Sequence, residues 1–150
     1  EVKTNTRTLM QAVDRYILAN GFTTLEDVAE LDIDLPLNHD MNGFYYNDRS
    51  WYSVRCSTSS CSLSILLTDE GGTPETWEEG VEVQLYKTPT NNWWIASMQD
   101  YTADGDEETM MLWCQFIKEG GASPNGRSYS SSGRNPVPKR QCAELGIPLV

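Results

Sequence analysis

The chain has 150 residues, 39% apolar and 22% charged, and its 22 acidic against 11 basic residues leave a formal charge of −11. That length suits one domain with a real core, and the composition argues against disorder. The longest aliphatic run, Ile65-Leu66-Leu67, is far too short to span a bilayer. So acidic a surface repels phosphate backbones and anionic lipid, which excludes nucleic acid as a partner.

Residues 1–20 read as a helix. Leu9, Val13, Tyr16 and Ile17, with Met10 alongside, form one apolar stripe, and Lys3, Arg7, Asp14 and Arg15 lie largely off it. Asn20-Gly21 ends the helix, because glycine accepts the left-handed conformation that closes many helices. No Ser, Thr, Asp or Asn cap precedes it, so the segment reads as the back half of a longer helix. Residues 22–50 read as a long irregular connection. Thr24 is a candidate cap for one or two helical turns over 25–31, stopped before Pro36, and Asn42-Gly43 and Asn47-Asp48 are turn chemistry.

Four strands are expected at 51–55, 62–68, 81–86 and 93–98, rich in β-branched and aromatic residues and bounded by turn clusters. Val81, Val83 and Leu85 alternate with Glu82, Gln84 and Tyr86, which marks a strand with one wet face. Short joints between successive strands make an antiparallel meander. Residues 110–117 read equally as a short helix behind an acidic loop or as a fifth strand. Residues 119–141 have loop composition, and the last turn-sized element is 141–145.

The four cysteines lack Cys-x-x-Cys spacing, and the single histidine is His39, so two disulfides in an oxidising compartment read better than zinc. Of the three possible pairings the sequential one is expected. Cys56–Cys61 would clip a hairpin at about 2 kcal/mol, and Cys114–Cys142 would tether the C-terminal loop at about 3.5 kcal/mol. The chain opens on Glu1-Val2-Lys3 without an export signal, which is at odds with disulfides unless this is not the natural N-terminus. The expected organisation is one α+β domain over 1–150: helix 1–20, connection 22–50, sheet 51–98 and a disulfide-bounded region 99–150.

This order, with Arg7-Thr-Leu-Met-Gln-Ala-Val-Asp-Arg-Tyr-Ile-Leu-Ala-Asn-Gly21, resembles the type IV pilins and pilin-like proteins, in many of which the helix ends in Tyr-x-x-x-Asn-Gly. Leu31-Asp-Ile-Asp-Leu-Pro36 and Gln141-Cys-Ala-Glu-Leu-Gly146 are similar to further pilin segments. The resemblance implies a helix packed on the meander and a non-enzymatic subunit of an extracellular filament. Its partners would be copies of itself or related pilins, with residues 22–50 and the 114–142 loop for contacts. It also implies a preceding apolar segment as the membrane anchor and filament core, without which residues 1–150 would form a soluble monomer. Two alternatives stay open. One is a periplasmic pseudopilin of type II secretion, and the other is a secreted carbohydrate-binding module using Trp77, Trp93 or Trp94.

Catalytic chemistry finds no support. There is no Gly-x-Ser-x-Gly motif or phosphate cradle, and His39 reads as a solvated loop residue without an identifiable partner. The one candidate metal site is the acidic loop, where Asp100, Asp104, Asp106 and Glu108 offer oxygen ligands for calcium. Thr102 and Met111 stand where an EF-hand wants stronger ligands. Pseudopilins that bind calcium in their C-terminal loops supply a precedent. The plainer reading is a solvated turn and helix cap. The aromatics Phe44, Tyr45, Tyr46, Trp51 and Tyr52 are expected mainly in the core. Of Trp93 and Trp94 at most one can face the helix. The stretch 70–82, with five glutamates around Trp77, reads as a solvated loop.

Overall fold

Helix α1 runs over Val2–Asn20 in the computed structural model. The structure describes residues 2–25, 30–31, 38–40, 43–47, 50–68, 80–102, 105–124 and 138–149, through the backbone alone at 38–40, 43–47 and 138. The stripe read from the sequence is the face α1 buries: Leu9, Met10, Ala12 and Val13 join the hydrophobic core, and Tyr16 and Ile17 pack against it. Asn5 and Thr6 are buried on the same face. Thr6 Oγ1 donates to the Val2 carbonyl at 2.8 Å, so its hydroxyl enters the interior already paired. Gly21, at φ 72°, closes the helix and donates its amide to the Ile17 carbonyl at 2.7 Å.

The sheet has seven strands among the described residues, and their spatial order is their chain order. They are β1 (Asn38–Asp40), β2 (Gly43–Asn47), β3 (Ser50–Cys56), β4 (Cys61–Leu67), β5 (Val81–Lys87), β6 (Trp94–Asp100) and β7 (Ser123–Pro124). The first six pair antiparallel, and β7 adds to β6 in parallel. The expected strand sites at 51–98 are β3 to β6, but the expectation of about four strands falls short. Strands β1 and β2 lie within the stretch expected to be an irregular connection, and His39 is a strand residue paired with Phe44 rather than a loop residue. Of the residues read as turn chemistry, Gly43 and Asn47 are the first and last of β2, and Asn42 and Asp48 lie outside the described residues.

Alternation then sorts the side chains. Tyr52, Ile65, Val83 and Met98 line up across β3 to β6, as do Val54, Leu63, Leu85 and Ile95. All eight are fully buried and face α1. One carboxylate oxygen, Asp14 Oδ1, pins the helix over the sheet, accepting from Lys87 Nζ at 2.7 Å and from the Trp93 indole N–H at 3.0 Å. Trp93 is therefore the inward member of the pair, and Trp94 is only partly buried.

The segment with two readings is helix α2 (Glu107–Lys118). Asp106 caps it, accepting from the Thr109 amide at 3.1 Å and from Thr109 Oγ1 at 2.8 Å, while Glu107 and Glu108 complement the helix dipole. The helix buries Trp113 and Phe116 edge to face, with ring centroids 5.6 Å apart. Its far end meets α1, where Arg7 lies 5.3 Å from the Phe116 ring centre and both Lys3 and Arg7 reach Glu119. These exposed ion pairs orient the helices more than they stabilise them. Just beyond, Gly121 leaves no room for a side chain, since a Cβ there would sit 2.5 Å from the Phe116 ring.

Helix α3 (Pro138–Glu144) is longer than the turn expected at 141–145. Both disulfides are paired as expected, Cys56–Cys61 across the β3–β4 hairpin and Cys114–Cys142 between α2 and α3. Gln141 Nε2 donates to the Met98 carbonyl at 3.0 Å, occupying the β6 edge beyond the short β7. No described helix is long and apolar enough to cross a membrane. Residues 26–29 of the helical turns expected over 25–31, Pro36, Trp77 with Glu70, Glu75, Glu78 and Glu79, Asp104, and residues 125–137 of the loop expected over 119–141 lie outside the described residues.

Candidate functional site

The face of the sheet turned away from α1 carries the alternate residues of each strand. Register places them in three rows across β3, β4 and β5. Ser53, Ser64 and Gln84 form a middle row. On one side of it stand Trp51, Leu66 and Glu82, and on the other Arg55, Ser62 and Tyr86. Same-face neighbours along a strand are about 7 Å apart, so Trp51 and Arg55 stand about 13 Å apart along β3. The two serines of the middle row leave a trench between the large side chains of Trp51 on one side and Arg55 and Tyr86 on the other. Its volume is about 310 Å³, lined by Trp51, Ser53, Arg55, Ser62, Ser64, Glu82, Gln84 and Tyr86.

The trench walls are held in place. The Tyr86 ring stacks on Trp94, with centroids 5.9 Å apart and planes 28° from parallel. Its hydroxyl donates to Gln84 Oε1 at 3.5 Å. Glu82 and Arg55 stand at opposite corners, and neither makes an ion pair with another described residue. Burial pushes the Glu82 carboxyl above its ordinary value. Partial burial, and then the charge on Glu82, push up the Tyr101 hydroxyl, which donates to Gln99 Oε1.

The shift at Glu82 has a sign for stability. A carboxyl whose folded pKa exceeds its unfolded one binds the proton more tightly in the native state. Its ionisation therefore costs stability, fully so above the raised folded pKa and not at all well below the unfolded value near 4.5. Glu82→Gln is thus expected to raise the melting temperature at pH 7 and to lose that advantage below about pH 4. Thermal melts at the two pH values check this, and an equal gain at both removes burial of the charge as the cause.

The acidic loop has another use for its carboxylates. Asp100 Oδ1 accepts from the Thr102 amide at 2.9 Å and Asp100 Oδ2 from the Asp106 amide at 2.6 Å. Asp106 caps α2, and Glu108 is exposed in the first turn of that helix. Among the described residues no three His, Cys, Asp or Glu side chains gather closely enough to hold a metal ion. Asp104 lies outside them. The calcium residues thus separate into a loop organiser, a helix cap and an exposed side chain, with the fourth not described.

Of the tryptophans singled out for sugar stacking, Trp93 is 4% exposed and bonded to Asp14, so it faces the core. Trp94 backs Tyr86, and Trp77 lies outside the described residues. Trp51, expected mainly in the core, is only partly buried and lines the trench. Arg55, Glu82 and Tyr86, which also line it, carry no binding signal in the sequence beyond the alternation of β5. A row across strands exists only once register is known. Comparison of the chain with family models, with curated proteins and with solved structures gives no match in any of the three.

Proposed function

We propose that the chain is the globular head of a type IV pilin-like subunit, a non-enzymatic building block of an extracellular filament. The observation that carries the reading is the placement of α1. It gives one face to the core with Leu9, Met10, Ala12 and Val13, and leaves Gln11, Arg15, Leu18 and Ala19 exposed on the other. A helix used in this way can hold its head with one face and meet neighbouring helices with the other. The element order supports the same reading: helix, connection, nearest-neighbour and mostly antiparallel sheet, and a C-terminal segment tied back through Cys114–Cys142.

In this proposal the partners are copies of the chain or related pilins, and an apolar segment ahead of residue 1 supplies the membrane anchor and filament core. The head is displayed outside the cell, where an oxidising environment keeps both disulfides. Immunogold labelling of the producing cells with antibodies raised against residues 1–150 tests this. Gold along thin surface filaments is the expected result. Label confined to the periplasm would turn the reading toward a secretion pseudopilin, and label only in the medium would remove the filament altogether.

A further inference from the structure

We propose that the trench on the outer face of the sheet binds a short, uncharged oligosaccharide. This goes beyond the filament reading and stands whether or not the chain assembles.

A sugar ring presents an apolar C–H face and a rim of hydroxyls that both donate and accept. Its site therefore needs flat aromatic surface beside short polar groups of both kinds. The trench supplies both. Trp51 on β3 and Tyr86 on β5 stand in opposite walls, and Tyr86 is fixed by its stack on Trp94. Between them lie the hydroxyls of Ser53 and Ser64 and the amide of Gln84, with the Ser62 hydroxyl beside Tyr86. At the corners, the Arg55 guanidinium can only donate and the Glu82 carboxylate accepts, and neither is engaged by a charge among the described residues. The volume, about 310 Å³, is at the small end for ligand sites, which fits a few sugar units at most.

Charge and topology argue against other occupants. An anionic ligand meets Glu82 and a chain of formal charge −11, and for a cationic one Arg55 offsets Glu82 within the trench itself. An extended peptide gains its affinity by pairing with a free strand edge. In this sheet β3, β4 and β5 are each paired on both sides, so the trench floor offers no main-chain groups.

The test uses residues 1–150 with disulfides intact on an array of neutral and acidic glycans. Calorimetric titration follows with neutral gluco-, galacto- and manno-configured tetrasaccharides. At least one neutral tetrasaccharide is expected to bind saturably. Trp51→Ala is expected to weaken binding by about tenfold or more through loss of the stacking surface, and Trp51→Phe to retain most of it. Ser64→Leu, which fills the floor, is expected to abolish binding with the melting temperature near that of the parent. Leu18→Ala, on the far side of α1, is expected to change nothing. The proposal is overturned if no neutral glycan binds at millimolar concentration, if only sialylated or sulfated glycans bind, or if binding survives both Trp51→Ala and Ser64→Leu.

Discussion

Leu9→Ala is expected to destabilise the domain by about 3 kcal/mol, within the usual range of about 2–5 for a buried leucine. Leu9 is fully buried on the inner face of α1, against a core built from the strands. Truncation removes the transfer energy of its side chain and leaves a cavity that a helix tied down at Asp14 cannot readily close. For a chain of this size, such a loss lowers the melting temperature by about 6–12 °C. The matched control is Leu18→Ala on the same helix, 87% exposed and expected to shift stability by less than about 0.5 kcal/mol. Urea unfolding of both variants measures the contrast. Equal, small effects would mean that α1 does not contribute to the core.

Replacing Cys114 and Cys142 together by alanine is expected to cost about 3–4 kcal/mol, against about 2 for the Cys56–Cys61 pair. The difference follows from loop length. The two bridges span sequence separations of 28 and 5, and cross-linking restricts the unfolded chain more when the closed loop is longer. Local structure adds to it. Cys114 and Cys142 are fully buried and join α2 to α3, a helix of seven residues that is too short to be stable alone. Without the bridge, the segment 138–149 keeps the Gln141 bond to the Met98 carbonyl and the burial of Ile147. Limited proteolysis is therefore expected to cut first within 138–149 in this variant. The Cys56–Cys61 variant is expected to keep its hairpin, since Cys56 and Cys61 are directly paired in the β3–β4 ladder and Ser57 and Ser60 close the turn with an amide-to-carbonyl bond of 2.8 Å. A C-terminal segment equally protected in both variants would show that the long bridge is not what holds α3.

Much of this architecture is legible in the sequence because local pattern and tertiary burial agree. The stripe through Leu9 and Val13 specifies the buried face of α1, and strict alternation in β5 specifies which residues face the helix. The rule that neighbours on a strand face opposite ways separates Trp93 from Trp94 before either has a partner. Where the reading falls short, information from distant residues decides. Strand β2 exists as the pairing partner of β3 and β1 as that of β2, and Phe44-Tyr45-Tyr46 reads as loop because its own pattern does not supply the partner strand. Two-residue β7 has no strand pattern of its own and forms where the chain after α2 passes the β6 edge. The helix at 107–118 is ambiguous in sequence because an eight-residue apolar stretch fits either period, and the cap at Asp106 resolves it. The acidic loop shows how one pattern can serve two uses. Carboxylates at ligand-like spacing also suit a tight turn that feeds a helix, and Asp100 and Asp106 serve that turn.

The central claim is that α1 is an integral part of the folded domain, its inner face built into the core. Native-state hydrogen exchange of residues 1–150 measures this directly. Amides from Leu9 to Ile17 are expected to exchange only through the global opening that also releases β4 and β5, with protection matching theirs. Exchange of those amides at the rate of an isolated helical peptide, while β4 and β5 remain protected, would contradict the account.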